Sequence, residues 1–119
     1  MNIFEIYLKK IKDLIIKLSK EKLIQIPKDL NSINVDIPPE QFDSDISTNV
    51  AMVLSKLNKT NPLELAKIIE SNLKKNDTNI DKIEIVKPGF INIKFKSIFW
   101  NDFLKEIINN HKEFGINKN

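Results

Sequence analysis

Between Lys82 and Lys96 the chain repeats with a period of two, and Pro88-Gly89 stands in the middle of that stretch. A helix brings residues three and four apart onto one side, whereas a strand sends neighbours to opposite faces. The pattern therefore predicts two antiparallel strands joined by a tight turn. In the first strand Ile83 and Ile85 alternate with Lys82 and Glu84. Lys87-Pro88-Gly89-Phe90 puts Pro and Gly at the central positions of a type II turn, where Pro presets φ and Gly accepts a positive one. In the second strand Ile91, Ile93 and Phe95 share one face, and Phe90, Asn92, Lys94 and Lys96 share the other.

The rest of the chain is mostly helical in pattern. Asn2 with Glu5 predicts a capped helix start running to about Gln25, with Phe4, Leu8, Ile11, Ile15 and Leu18 as its apolar stripe. Ile33, Val35 and Ile37 alternate with Asn34 and Asp36, predicting a short strand that Pro38-Pro39 stops. A second helix is expected from about Asp45 to Leu57, with Ile46, Val50, Val53 and Leu57 facing inward. Asn61-Pro62-Leu63-Glu64 is the clearest helix start: Asn61 caps, Pro62 takes the first position, and Glu64 suits the positive end. Leu65, Ile68, Ile69 and Leu73 are its inner residues. Ser97 is placed as the cap of a last helix carrying Trp100, Phe103, Leu104, Ile107 and Ile108, with Gly115 as its stop. These elements predict an α+β fold, one domain over residues 1–119. A small, mainly antiparallel sheet of three to four strands is covered on one face by about four helices. The other face of the sheet is left for function.

Composition narrows the chemistry. The chain has no Cys, which excludes disulfides, thiolate metal sites and a cysteine nucleophile. Its 19 basic residues are all Lys, against 16 acidic ones, for a net charge of +3. Without Arg there is no bidentate guanidinium fork for phosphate or guanine, so any nucleic-acid contact rests on aromatics, amides and Lys point charges. With only two Gly, no glycine-rich phosphate loop is present. No apolar run is long enough for a membrane span, so a cytoplasmic location is expected. Acidic residues dilute the basic first helix and argue against a membrane-surface role.

Few residues suggest catalysis. His111 is the only His and falls on the apolar side of the last helix, where a core or helix-end role accounts for it. Asp43 and Asp45 are read as turn and cap residues rather than as a metal pair. The outward row of Phe90, Asn92, Lys94 and Lys96 is different. It offers an aromatic face, an amide and two ammonium groups, which are the parts needed to hold an unpaired base and its backbone. Three readings follow from the residues: an RNA-binding module, a protein-interaction module using the first or last helix, and a small enzyme holding a divalent ion with Glu40, Asp43 and Asp45.

Three segments carry a family resemblance. Asp45-Ile46-Ser47-Thr48-Asn49-Val50-Ala51-Met52 resembles the Gly-Asp-aromatic-small-Thr/Ser-Asn-x-Ala segment near the start of arginyl-tRNA synthetases. Asn61-Pro62-Leu63-Glu64-Leu65-Ala66 resembles the helix start that follows it in that family. Lys87-Pro88-Gly89-Phe90-Ile91-Asn92-Ile93 is similar to the Pro-Gly-Phe-Ile-Asn turn and strand of the family's N-terminal additional domain. Ser44 stands where the family has Gly, and Ile46 where it has an aromatic residue.

The resemblance implies an α+β domain that sits on the outer corner of tRNA-Arg and contacts its D-loop. Phe90 would stack on a base, Asn92 would bond its edge, and Lys87, Lys94 and Lys96 would meet phosphates. Asp45, Asn49, Asn61, Pro62, Pro88 and Gly89 would be structural, Asp45 as the cap of the second helix and Asn49 as a bond to nearby backbone. The family's His-x-Gly-His and Lys-Met-Ser-Lys-Ser type motifs do not occur here. The resemblance therefore implies no catalytic residue, metal or cofactor in this segment. Arginine–tRNA ligation with ATP and Mg would belong to a catalytic domain of the same polypeptide. A monomer that binds neither DNA nor membrane is expected.

Overall fold

The computed structural model describes residues 2–114, with side chains described over residues 2–108. In chain order the elements are α1 (Ile3–Lys20), β1 (Val35–Asp36), β2 (Ile46–Thr48), α2 (Val50–Asn58), α3 (Pro62–Asn76), β3 (Ile80–Val86), β4 (Phe90–Phe95) and α4 (Ser97–Phe114). The strands form one antiparallel sheet in the order β1-β2-β4-β3. The α+β class, the antiparallel sheet and the four helices agree with the sequence expectation.

One element was not expected. Residues 46–48 belong to a strand rather than to the start of the second helix. Ile46 and Thr48 are β-branched and favour a pleated surface. They lie between two partners, with Ile46 opposite Ile93 and Thr48 opposite both Ile91 and Val35. Inter-strand bonding of this kind is invisible to local periodicity. The helix then starts at Val50, whose N–H donates to the Thr48 hydroxyl at 3.3 Å. Thr48, not Asp45, therefore serves the opening turn of α2.

The alternation in β4 defines two faces. Ile91, Ile93 and Phe95 are buried together with Ile46, Val35 and Ile80 under α1, α2 and α3. The α1 start has the predicted capping box, in which Glu5 N–H donates to Asn2 Oδ1 at 2.9 Å and Asn2 N–H reaches Glu5 Oε1 at 3.3 Å. Its buried stripe is turned relative to the expectation. Ile3 and Tyr7 go fully inward where Phe4 and Leu8 were expected, because Tyr7 packs on Phe95 with ring centroids 4.6 Å apart. The Tyr7 hydroxyl donates to Asp77 at 2.7 Å, tying α1 to the end of α3; burial first, and then this carboxylate, push the phenol far up from its ordinary pKa.

Other inward assignments shift in the same way. Ala51 and Leu54 replace Val53 and Leu57 as the buried residues of α2, and Ala66 replaces Ile68 in α3. Strand β1 is shorter than predicted, and Ile37 is exposed beyond it. In α4 Phe99, Trp100 and Phe103 pack at the edge of the core, while Leu104 and Ile108 face outward. Ser97 is the first residue of that helix rather than its cap. The side chain of His111 and the predicted stop at Gly115 lie outside the described residues.

Candidate functional site

The face of the sheet away from the helices is not flat. A cavity of about 680 Å³ lies over it, with Ser47, Phe90 and Asn92 contributed by the sheet. Residues of the β1–β2 connection (Ile37, Pro39, Gln41 and Phe42) form a wall, and Asn49, just before α2, and Met52 of α2 close another side. Lys87 stands at the β3–β4 turn and Asp36 at the β1 edge.

Strand register explains why these residues meet. Asp36 is opposite Ser47, Ser47 is opposite Asn92, and Asn92 is opposite Glu84. Residues in register point to the same side. Asp36, Ser47 and Asn92 thus form a polar row across three strands, on the face opposite the Val35–Thr48–Ile91 row.

Phe90 and Asn92 take different depths in this cavity. Phe90 is 40% exposed and lines the cavity. Asn92 was expected on an open face, yet it is only 1% exposed. The walls of the cavity, absent from any reading of one strand, sink it into the floor. Its Oδ1 is enclosed and, among the described residues, has no hydrogen-bond partner. Leaving a buried amide oxygen unpaired costs about 1–3 kcal/mol. A half-turn of the amide exchanges carbonyl and amino groups within the same outline, so the side chain can offer an acceptor or a donor.

The lysines divide. Lys87 borders the cavity. Lys94, expected to meet phosphate, is held by Asp43, with Nζ 2.7 and 2.8 Å from the two carboxylate oxygens. The bonded ammonium of Lys94 keeps the Asp43 carboxyl below its ordinary value, and the same bond raises Lys94. Lys94 is thus already neutralised on its own surface, and neither it nor Lys96 lines the cavity. Lys96 is exposed just past β4, its N–H donating to Asn79 O at 2.9 Å.

The motif residues hold the frame. Asp45 accepts from the Phe95 N–H at 2.8 Å and lies 3.4 Å from Trp100 Nε1, so it joins β4 to α4 and caps no helix. Asn49 Oδ1 accepts from Asn34 N–H at 2.8 Å, and its Nδ2 donates to Ser32 O at 3.1 Å, fixing the approach to β1 against α2. Asn61 accepts from Leu63 N–H at 2.8 Å at the start of α3, with Pro62 in the first turn. The β3–β4 turn departs from the type II expectation. It is closed by Gly89 N–H to Val86 O at 2.9 Å, which puts Lys87 and Pro88 in the centre, with a cis bond between them. Pairing of Val86 with Phe90 sets the turn one residue earlier than local composition suggested.

Asp43 and Asp45 face different partners, Lys94 and the Phe95 N–H respectively. Among the described residues no group of three or more His, Asp or Glu could hold a metal ion. Among the same residues no helix is long and apolar enough to cross a membrane. Asp36, Ser47, Gln41 and Phe42 join the site only through tertiary structure. The one local hint was the alternation that put Asp36 on the polar side of its strand.

An antiparallel α+β frame thus carries, on its open face, a cavity lined by a part-exposed aromatic residue and a buried amide. Comparisons with known proteins show its family. Residues 5–95 match the family model of the arginyl tRNA synthetase N-terminal domain. The chain is 56% identical over 117 residues to an arginine–tRNA ligase of Pelagibacter ubique, covering 98% of this chain and 20% of that protein. It is 45% identical over 118 residues to an arginine–tRNA ligase of Bartonella quintana, covering 97% and 20%. A third relative, an arginine–tRNA ligase of Staphylococcus carnosus, is 37% identical over 97 residues, covering 82% and 18%. The chain belongs to the arginyl-tRNA synthetase N-terminal domain family. It spans about a fifth of the length of the relatives it matches.

Proposed function

We propose that this chain is the tRNA-binding N-terminal domain of an arginine–tRNA ligase, a class I enzyme that joins arginine to tRNA-Arg at the expense of ATP. In this reading the domain does no chemistry. It holds the outer corner of the tRNA, accepting an unpaired D-loop nucleotide in the cavity over the sheet. ATP and magnesium act in the catalytic part of the longer polypeptide, and the domain works as a single copy in the cytoplasm.

The observation that carries this reading is the pair Phe90 and Asn92, an open ring next to a sunken amide whose oxygen is unpaired. Stacking on an aromatic face and hydrogen bonding to a base edge are how proteins read single-stranded RNA. Lys87 supplies the nearby positive charge. Lys94 would meet a phosphate only by giving up Asp43, and Lys96 lies apart from the cavity, so these two add long-range attraction. With a net charge of +3 the affinity is modest, on the order of micromolar at physiological salt.

The test is Phe90→Ala in this chain, titrated with a tRNA-Arg transcript. A stacked base predicts a loss of about 1–3 kcal/mol in binding with little change in melting temperature. Unchanged affinity removes the assignment. A protein-contact role has separate support in α4, where Leu104 and Ile108 are each 53% exposed. On this reading that face meets the catalytic part of the same polypeptide, and cross-links from α4 to the catalytic part are the expected result.

A further inference from the structure

The cavity is electrically polarised, and its acidic end has no partner. Lys87 lies at the β3–β4 turn, and Asp36 lies on β1 at the far side of the Asp36–Ser47–Asn92 row. Asp36 and Asn92 are two strand spacings apart, about 10 Å between backbones. Among the described residues no ion pair or hydrogen bond engages the Asp36 carboxylate. Of the residues that line the cavity, Asp36 is the one that carries a carboxylate.

An ionised carboxylate is an acceptor only. It repels phosphate and takes up hydroxyl or amino donors. If a nucleotide occupies this cavity, the Phe90 ring accounts for the face of its base, the Asn92 amide for the base edge, and Lys87 for the phosphate. The donors that remain are the ribose hydroxyls. We infer that Asp36 accepts a hydrogen bond from the ribose 2′-hydroxyl of the nucleotide held in the cavity, and so makes the site selective for RNA over DNA. The inference rests on the tRNA-binding reading and adds to it a residue that specifies the sugar. The 2′-hydroxyl is the group that distinguishes the two nucleic acids at a single position.

The experiment compares two synthetic D-arm hairpins, identical except that the loop sugars are ribose in one and 2′-deoxyribose in the other. Both are titrated into the wild-type chain, Asp36→Ala and Phe90→Ala. A hydrogen bond to a charged acceptor predicts that the wild type prefers the ribose loop by about tenfold. Asp36→Ala should bring that ratio to within about twofold, mostly by weakening the ribose complex. The side chain is exposed, so an unchanged melting temperature verifies the fold, and Asp36→Asn should keep part of the preference. A ratio unchanged in Asp36→Ala overturns the inference, as does an equal gain in affinity for both hairpins, which would make the carboxylate merely repulsive. The base-stacking reading is judged separately by the loss on Phe90→Ala. Lost stacking with an intact sugar ratio in Asp36→Ala sinks only the role of Asp36, and no binding to either hairpin overturns both.

Discussion

A Cβ built on Gly89 would lie 2.7 Å from the Pro62 Cβ and 3.0 Å from Met52 Cγ. The β3–β4 turn is therefore seated directly on the first turn of α3 and against α2, with no room for a side chain between them. These contacts join all three of the motifs that carry the family resemblance. They also set the height of Phe90, the next residue, above the cavity.

Gly89→Ala is expected to force the turn off Pro62. Overpacking at a tight contact costs about 1–3 kcal/mol. Chemical denaturation should show that loss, and the tRNA-Arg transcript should bind more weakly because Phe90 moves with the turn. A variant with wild-type stability would mean that the contact relaxes freely.

Asn92 predicts a trade between stability and binding. Among the described residues its enclosed oxygen has no partner. Replacing it by Leu removes that desolvated group while keeping the volume close, so Asn92→Leu should be as stable as the wild type or more stable by about 1 kcal/mol. The same variant should lose affinity for the transcript. Thermal melting and titration of one sample check both halves, and a strong destabilisation would contradict the pairing of the two effects.

Asp45 is a frame residue, and its removal should show in folding rather than in direct contact with RNA. Asp45→Ala leaves the Phe95 N–H without its acceptor and withdraws the oxygen 3.4 Å from the Trp100 indole. Losing a charged acceptor under a partly buried donor costs about 1–3 kcal/mol. Trp100 is the only tryptophan, so its emission reports the change around α4 directly.

The Asp43–Lys94 pair predicts a pH dependence at both extremes. The Asp43 carboxyl is held below its ordinary 3.8, so the pair contributes fully above that value and fades as acid titrates it through the lowered folded value. Lys94 is raised above its ordinary 10.5, so the contribution persists below that pH and disappears as alkali titrates it through the raised folded value. The pair is solvent-facing, so the effect is small and screened by salt. Carboxyl NMR should show Asp43 titrating below the ordinary range, and 1 M salt should bring it back towards 3.8. A salt-independent value would mean that Lys94 is not its cause.

Much of the frame is written locally. The capping box at Asn2 and Glu5, the Asn61-Pro62 helix start and the two-residue alternation of Phe90–Phe95 each arise from interactions within a few residues, so the order of amino acids alone determines them. The same alternation sets Phe90 and Asn92 apart from the core. What the tertiary structure decided is depth and company. Ile46–Thr48 becomes a strand because two other strands border it, Asp45 bonds β4 and α4 because the chain folds back on itself, and Lys94 pairs with an aspartate 51 residues away in the chain. The cavity that buries Asn92 and leaves Asp36 facing it exists only once β1, β2 and β4 lie side by side. Hydrogen bonds between strands and closure of distant walls depend on which segments meet, and no local periodicity encodes that meeting.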